Sequence, residues 1–467
     1  MIIIIAVSIE IPKEKGNKKV KTTEKYDIME VSKDHQIISS ERVFTMRNYS
    51  ILNSNIKRGL VRFSERVSEG LTRPEFKFIS QMTYGILSAQ SCHLSKIARK
   101  LDEKTSLKKT IERLSRNLKE FRGGETLLSN YINRVKGCIG EQTILIIDGS
   151  NITKPCSPKM EHISRVRDGS TGKYGDGYHT LGVAALTEGR KMPICVYTRV
   201  YSVSEPGFVS EDREVLNALD FLSRHFKRGN VRAFDRGYDA NIYYGRLIDT
   251  RESFVIRAKK NRDVIYKDRQ VNILELAKRF KGKYSLKFKK KNGMEADCRI
   301  SVVPVRLPCR PKAELNMVIC NGFGQNPLML ITDLKSNDKR LAVTITKVYL
   351  LRWRIEEFYG FKKQQLDFED FRVRSLAAIR NLDLLVTVAL GYIGLISEKA
   401  DERHMVSELI AISKRIYGTP RFVLYAIADG LFEAIAKSKP GIADMIRKKP
   451  KQLQLELWKP PGFECSA

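Results

Sequence analysis

Between residues 143 and 258 the chain is a series of short apolar runs cut by glycines and helical stretches. That texture limits what it can fold into. The runs 143–147 (TILII), 180–186, 193–200, 231–234 and 254–258 have the length of strands. Two longer segments break the series. Residues 211–226 place Val215, Leu219 and Leu222 at helical spacing, and 240–249 read as a second helix. The glycines of 172–177 read as a turn. The order β-β-β-α-β-α-β implies an α/β fold, a mixed sheet with helices packed on it.

The flanks differ from this core. Residues 1–45 are polar after an isoleucine run and lack periodicity, which predicts a disordered lead-in. Amphipathic patterning begins at Met46, so Met46 is an alternative start, testable with a chain beginning there. Residues 46–125 read as a helical domain. Leu94, Ile97, Ala98 and Leu101 mark one short helix, and Leu107, Ile111, Leu114 and Leu118 mark the next, with Lys108, Lys109, Arg113 and Arg116 outward. This fits a helix-turn-helix that places its second helix in the DNA major groove, and equally any basic helical hairpin. Residues 262–326 alternate in β style and read as an inserted β subdomain. Within them, 267–291 hold ten Lys/Arg against two acids, either a DNA clamp or a solvated surface. Residues 338–365 read as one long helix, and 376–467 as a helical region with a basic tail.

Composition narrows the partners. The chain has 84 Lys+Arg against 53 Asp+Glu, a net charge of +31 over 467 residues. A polyanion is the expected partner, nucleic acid or an anionic membrane. The longest nearly uncharged apolar stretch, 384–396, is thirteen residues, short of the roughly twenty that span a bilayer, and reads as a buried core helix. No amphipathic anchor supports a membrane partner. The opening MIIIIAV lacks a basic leader and a cleavage site, a poor fit to a secretory signal. No two of the eight cysteines stand as C-x-x-C, so reduced thiols in the cytosol are expected.

Two aspartates each follow an apolar run, Asp148 in TILIIDGSN and Asp235 in VRAFDRGYD. Carboxylates held at a sheet edge beside small residues suit Mg²⁺, which prefers hard oxygen ligands. In YLLRWRIEEFYGFKK, Tyr349, Arg352, Glu356 and Lys363 fall within an arc of about 60° at about 100° per residue. An acid among cations makes sense if Glu356 is a metal ligand while the cations hold phosphates. Glu357 points about 100° away and is not preferred. Arg236 reaches a phosphate or is an exposed charge; Arg372 and Arg374 continue the basic track. Asp168, Asp176 and Asp239 read as turn or capping residues.

The pattern Tyr-x2-Arg-x3-Glu-x6-Lys resembles the YREK signature of the DDE transposases of bacterial insertion sequences (the type-four branch), and the contexts of Asp148 and Asp235 are similar to that family's first two aspartates. The likeness covers about 140–375 and, loosely, 50–120. It implies an RNase H-like catalytic domain over 140–375 with Asp148, Asp235 and Glu356 as catalytic metal ligands. It implies two Mg²⁺ (or Mn²⁺) ions and no covalent intermediate. DNA contacts are expected from Tyr349, Arg352, Lys363, Arg236, Lys108, Lys109 and Arg113. The resemblance also implies a hairpin intermediate and a flipped base, for which Trp353, Tyr238, Tyr243 and Tyr244 are candidate platforms.

The expected function is metal-dependent cleavage of transposon-end DNA and strand transfer into target DNA, by a homodimer on paired ends in a bacterial cytoplasm, nucleoid-associated. The alternatives are an RNase H-like nuclease that never joins strands and a non-catalytic DNA-binding derivative.

Overall fold

The computed structural model describes residues 6–8, 46–140, 143–169, 171–186, 193–289, 295–335, 339–398, 403–413, 423–437 and 439–447. Of the expected lead-in only Ala6–Ser8, strand β1, is described; the basic tail past 447 lies outside the described residues. Five helices follow: α1 (Met46–Val67), α2 (Arg73–Ala89), α3 (Leu94–Leu101), α4 (Leu107–Glu120) and α5 (Gly124–Val135). The start of α2 is written in TRPE. The Thr72 hydroxyl accepts from the Glu75 amide, the Glu75 carboxylate accepts from the Thr72 amide at 2.9 Å, and Pro74 sits in the first turn. The apolar stripes of α3 and α4 face inward as expected, with Ile97, Leu101, Leu114 and Leu118 buried.

Strands β2 (Ile144–Thr153), β3 (Ser164–Arg167), β4 (Tyr174–Leu186) and β5 (Ile194–Tyr201) precede helix α6 (Glu211–His225). Then come β6 (Val231–Phe234), α7 (Asn241–Asp249) and β7 (Phe254–Arg257). Central β2 runs parallel to β6, which runs parallel to β7; on its other side β4 is antiparallel, and β5 pairs antiparallel with β4. Both faces are covered. Ile144 and Ile146 pack into one apolar cluster, Leu145 and Ile147 into the other. That two-sided burial is why Ile144 to Ile147 are apolar at every position.

Two expectations are corrected here. The glycines of 172–177 are only partly a turn. Gly172 turns with φ +72°, but β4 starts at Tyr174 and pairs with β3. A Cβ at Gly177 would lie 2.0 Å from the Ile152 carbonyl, so this glycine serves strand approach. Asp176 therefore stands in a strand opposite Arg165. The first strand, expected to end before Asp148, continues to Thr153, because β4 is long enough to keep pairing with it.

The segment 262–326 contains β8 (Asp263–Tyr266), β9 (Arg269–Asn272), α8 (Ile273–Lys278), β10 (Tyr284–Lys289), β11 (Glu295–Leu307) and β12 (Arg310–Asn321). It is β-rich, as its alternation predicts, but its strands extend the core sheet. β12 pairs with β13 (Leu328–Thr332), which pairs with β7. The path runs β1-β10-β11-β12-β13-β7-β6-β2-β4-β3. The basic residues Lys278, Arg279, Lys281 and Lys283 are exposed.

The expected single helix over 338–365 is broken. Helix α9 (Lys339–Leu351) stops, Arg352 and Trp353 form a turn, and α10 (Arg354–Gly360) restarts before a π-helical stretch, Phe361–Gln365. Beyond it lie α11 (Leu376–Glu398), α12 (Arg403–Ile412), α13 (Val423–Ala436) and α14 (Ala443–Arg447). Helix α11 is long and apolar enough to cross a membrane, yet 89% of its most apolar window is buried inside the protein. It packs against α2, α4, α5 and β5, the core helix that the run 384–396 predicts. The seven described cysteines carry no disulfide.

Candidate active site

Three elements deliver the charged groups. Strand β2 carries Asp148 opposite Gly182 of β4, β6 ends immediately before Asp235, and the turn between α9 and α10 carries Arg352. Arg352 is buried. Its Nη1 donates to Asp148 Oδ2 at 2.9 Å, and its Nη2 lies 3.9 Å from Asp235 Oδ1. Tyr349, also buried, donates its hydroxyl to Asp235 Oδ1 at 3.1 Å and accepts from Arg257 at 3.4 Å. The rings of Tyr349 and Trp353 flank the guanidinium at 5.8 and 5.1 Å.

The electrostatics follow from this crowding. Burial pushes the Asp148 carboxyl up to about 6, and Asp235 and Glu356 push it the same way against the pull of Arg352. Asp235 is also penalised by burial. Arg352, the Arg236 amide, the Tyr349 hydroxyl and Arg257 outweigh that penalty and hold it below the usual range. Burial raises Glu356, which feels both Arg352 and Asp235. Glu356 thus lies in the same electrostatic neighbourhood as the aspartates. Glu357 instead pairs with Arg354 at 3.2 Å.

The signature residues do not lie on one regular helix, because a turn and a π-helical stretch break the 100° step, yet Tyr349 and Arg352 still reach the aspartates and Glu356 feels Asp235. Lys363 donates to the Asn151 carbonyl and pairs with Glu369 at 3.0 Å, at the far end of β2. Arg236 is exposed beside Asp235. Lys108 and Lys109 are exposed on α4, whereas Arg113 turns inward to Glu103 at 2.5 Å and Gln81 at 2.8 Å. Arg372 and Arg374 are exposed. Asp239 is buried, holding the Lys259 amide at 2.7 Å, Arg262 and Tyr244. Asp168 closes a turn onto Thr171 at 2.8 Å. Tyr243 and Tyr244 are buried and bonded to Asp212 and Asp239; Tyr238 stands by Gly149.

Supporting residues went unnoticed in the sequence. The Tyr359 hydroxyl donates to the Asp148 carbonyl at 2.7 Å. It does so by crossing Gly182, where a Cβ would lie 2.5 Å from that hydroxyl. Tyr359 falls ten residues after Tyr349, about 280° at 100° per residue, so the same helical reckoning borders on it. Arg257 ends β7 as Asp235 follows β6, and the strand-end rule applied to charges of both signs would have found it. Buried Lys362 bonds Asp383, which also accepts from Thr198, and so ties the π-helical stretch to α11 and β5.

Three carboxylates are the donor type that Mg²⁺ takes. Among the described residues, however, no group of three or more His, Cys, Asp or Glu stands close enough to hold a metal ion. Between Asp148 and Asp235 the charge balance comes from Arg352 instead.

No curated protein matches the chain. Among solved structures it is similar to a piggyBac transposase synaptic complex with hairpin DNA, determined by cryo-EM. The identity is 11%, covering 88% of this chain and 84% of that chain, with a TM-score of 0.43. A family model described as the transposase DDE domain matches residues 139–391, 253 of the 467 residues (391 − 139 + 1). That span holds every described strand of the sheet except β1, both aspartates and the broken signature helix, and the chain therefore belongs to the transposase DDE domain family: it is a transposase, an enzyme acting on DNA.

Proposed function

We propose that the chain carries out cut-and-paste transposition, with Asp148, Asp235 and Glu356 as the catalytic carboxylates. The observation that carries this reading is that Arg352 bridges Asp148 of β2 and Asp235, which follows the neighbouring β6, with Glu356 feeling both Arg352 and Asp235. The strand order β5-β4-β2-β6-β7, with the first three antiparallel and the last three parallel, supports an RNase H-like core over 140–375. The exact Tyr349, Arg352, Glu356, Lys363 spacing supports the bacterial insertion-sequence branch.

Transposase DDE domains use divalent metal ions. Two Mg²⁺ or Mn²⁺ ions, held by the three carboxylates, would supply positive charge to the scissile phosphate and make the attacking hydroxyl a better nucleophile. The chain's own groups position DNA. Tyr349, Arg257 and Arg352 stand beside the aspartates and hold phosphates; a guanidinium does so bidentately. Exposed Arg236, Arg372, Arg374, Lys108 and Lys109 extend the basic track, and the helices of 46–125 form the DNA-binding domain. The same site serves end cleavage and the following attack of the freed 3′-hydroxyl on target DNA. Paired ends call for a homodimer, with the C-terminal helices beyond buried α11 (α12, α13 and α14) as its surface, acting in the bacterial cytoplasm at the nucleoid.

The test incubates the protein with labelled end DNA, a plasmid target and Mg²⁺. Cleaved and joined products are expected. Cleaved product alone supports the strand-transfer-free nuclease. Asp235→Ala is expected to lower cleavage at least about 1000-fold, since several kcal/mol of charge stabilisation is lost and about 1.4 kcal/mol is tenfold. DNA binding by gel shift is expected to persist. Full cleavage in that variant would sink the triad.

A further inference from the structure

Resting on the proposed triad, we infer that Arg352 is a removable counter-ion: it holds the place between Asp148 and Asp235 that a divalent ion requires, and gives it up to bind a DNA phosphate. Metal binding and DNA binding are then coupled through one side chain.

The geometry makes the two occupants exclusive. Arg352 Nη1 is 2.9 Å from Asp148 Oδ2 and Nη2 is 3.9 Å from Asp235 Oδ1. An ion would need carboxylate oxygens at about 2.0–2.1 Å, in the space the guanidinium fills. Both occupants answer the same electrostatic demand, one aspartate in β2 and one just past the neighbouring parallel β6, with Glu356 nearby. Without either, the partly buried carboxylates would repel one another.

The grip is incomplete, so the guanidinium has something to gain by leaving. Arg352 Nε is buried with no hydrogen-bond partner, and a buried donor left unpaired is destabilising. The Nη2–Asp235 approach at 3.9 Å is too long for a hydrogen bond. Arg352 also sits in a two-residue turn between α9 and α10, where swinging the side chain need not break a helix. Its flanking rings, Tyr349 and Trp353, offer a surface to slide along. A DNA phosphate offers two oxygens that the planar guanidinium can hold bidentately.

Reciprocity is the consequence: DNA tightens metal binding, and metal tightens DNA binding by the same factor. In the absence of DNA the carboxylates stay shielded. Phosphate ligation of an ion would also tighten metal binding in the presence of DNA, so the decisive comparison is between wild type and variant.

Mn²⁺ binding to the full chain is followed by the electron paramagnetic resonance of the free ion, with and without a linear DNA duplex. Thermal melting monitors folding. Without DNA, Arg352→Gln is expected to bind Mn²⁺ about tenfold tighter than wild type, because its competitor is gone. DNA is expected to tighten wild-type binding within the roughly 5–150-fold range of coupled sites. In Arg352→Gln that gain shrinks. Equal DNA-free affinity in wild type and Arg352→Gln, or an equal DNA-induced gain in both, overturns the inference. If Arg352→Gln fails to fold, Arg352→Lys, which keeps the charge but cannot span both aspartates, is expected to lie several-fold tighter than wild type; unchanged affinity there overturns it. Asp235→Asn separates this inference from its foundation. If that variant binds Mn²⁺ as wild type does, the triad fails. If it loses binding while Arg352→Gln gains nothing, only the counter-ion role fails.

Discussion

The segment from Tyr349 to Gln365 buries two cations against carboxylates, and the two environments are opposites. Lys362 meets one acid, Asp383, and the surroundings are complete: Thr198 donates to Asp383, Thr387 lies 3.4 Å from the ammonium, and Phe368 covers it at 4.6 Å. Arg352 meets two acids with a third nearby, keeps an unpartnered Nε, and stands at the sheet edge beside half-buried Asp235. A balanced cluster has nothing left to bind and works as a bolt. A cluster with more negative than positive charge has capacity for another cation. The difference lies in stoichiometry and access, not in burial.

Substitutions can break or sharpen this contrast. The largest stability effect belongs to the bolt. Lys362→Met leaves Asp383 buried and unpaired, and a loss of about 3–5 kcal/mol in urea unfolding is expected. Adding Asp383→Leu should recover much of it, since replacing both partners by apolar groups is often neutral. A loss below about 1 kcal/mol for Lys362→Met would show that the pair is no bolt.

Smaller effects probe how the open cluster is held. Tyr359→Phe removes the hydroxyl that bonds the Asp148 carbonyl. A loss of about 0.5–1.5 kcal/mol in stability is expected, with slower cleavage at unchanged DNA affinity. Weakened DNA binding in that variant would mean that Tyr359 touches DNA rather than positioning Asp148. Gly182→Ala should resemble it, because the new methyl collides with the same hydroxyl.

The smallest effect extends the contrast to exposed cations. Lys108→Gln and Lys109→Gln should leave stability unchanged. If each holds a phosphate, each lowers the slope of log affinity against log salt by about 0.9. Arg113→Gln should instead cost stability, because Arg113 is bonded to Glu103 and Gln81. A salt slope altered more by Arg113 than by the lysines would reverse these assignments.

Much of the sheet was legible because its strands are covered on both faces, and continuous apolar runs such as 143–147 report that directly. Strand ends were less legible. Nothing in DGSNIT reports that β4 continues beside it, so Asp148 was read as following a strand when it lies inside one. The alternation of 262–326 announced strands, but nothing in it reported that they extend the core sheet through β12 and β13. At the site, Tyr349, Arg352 and Glu356 were found by spacing, but their shared face was argued from a regular helix that the turn at Arg352 interrupts. Arg113 was read as outward because periodicity assigns a face, not a partner on another helix.

By itself the sequence determined where most strands and helices lie, though not where each one ends or breaks, and which residue types stand at the signature positions, because hydrophobic periodicity and short spacings are local properties. Only the tertiary structure decided that the Arg352 guanidinium lies between aspartates 204 and 117 residues away in the chain, that Tyr359 crosses Gly182 to reach Asp148, and that Lys362 is closed off while Arg352 is not. Those are distances between elements far apart in the chain. They are set by how strands register and where a helix breaks, and no window of residues encodes them.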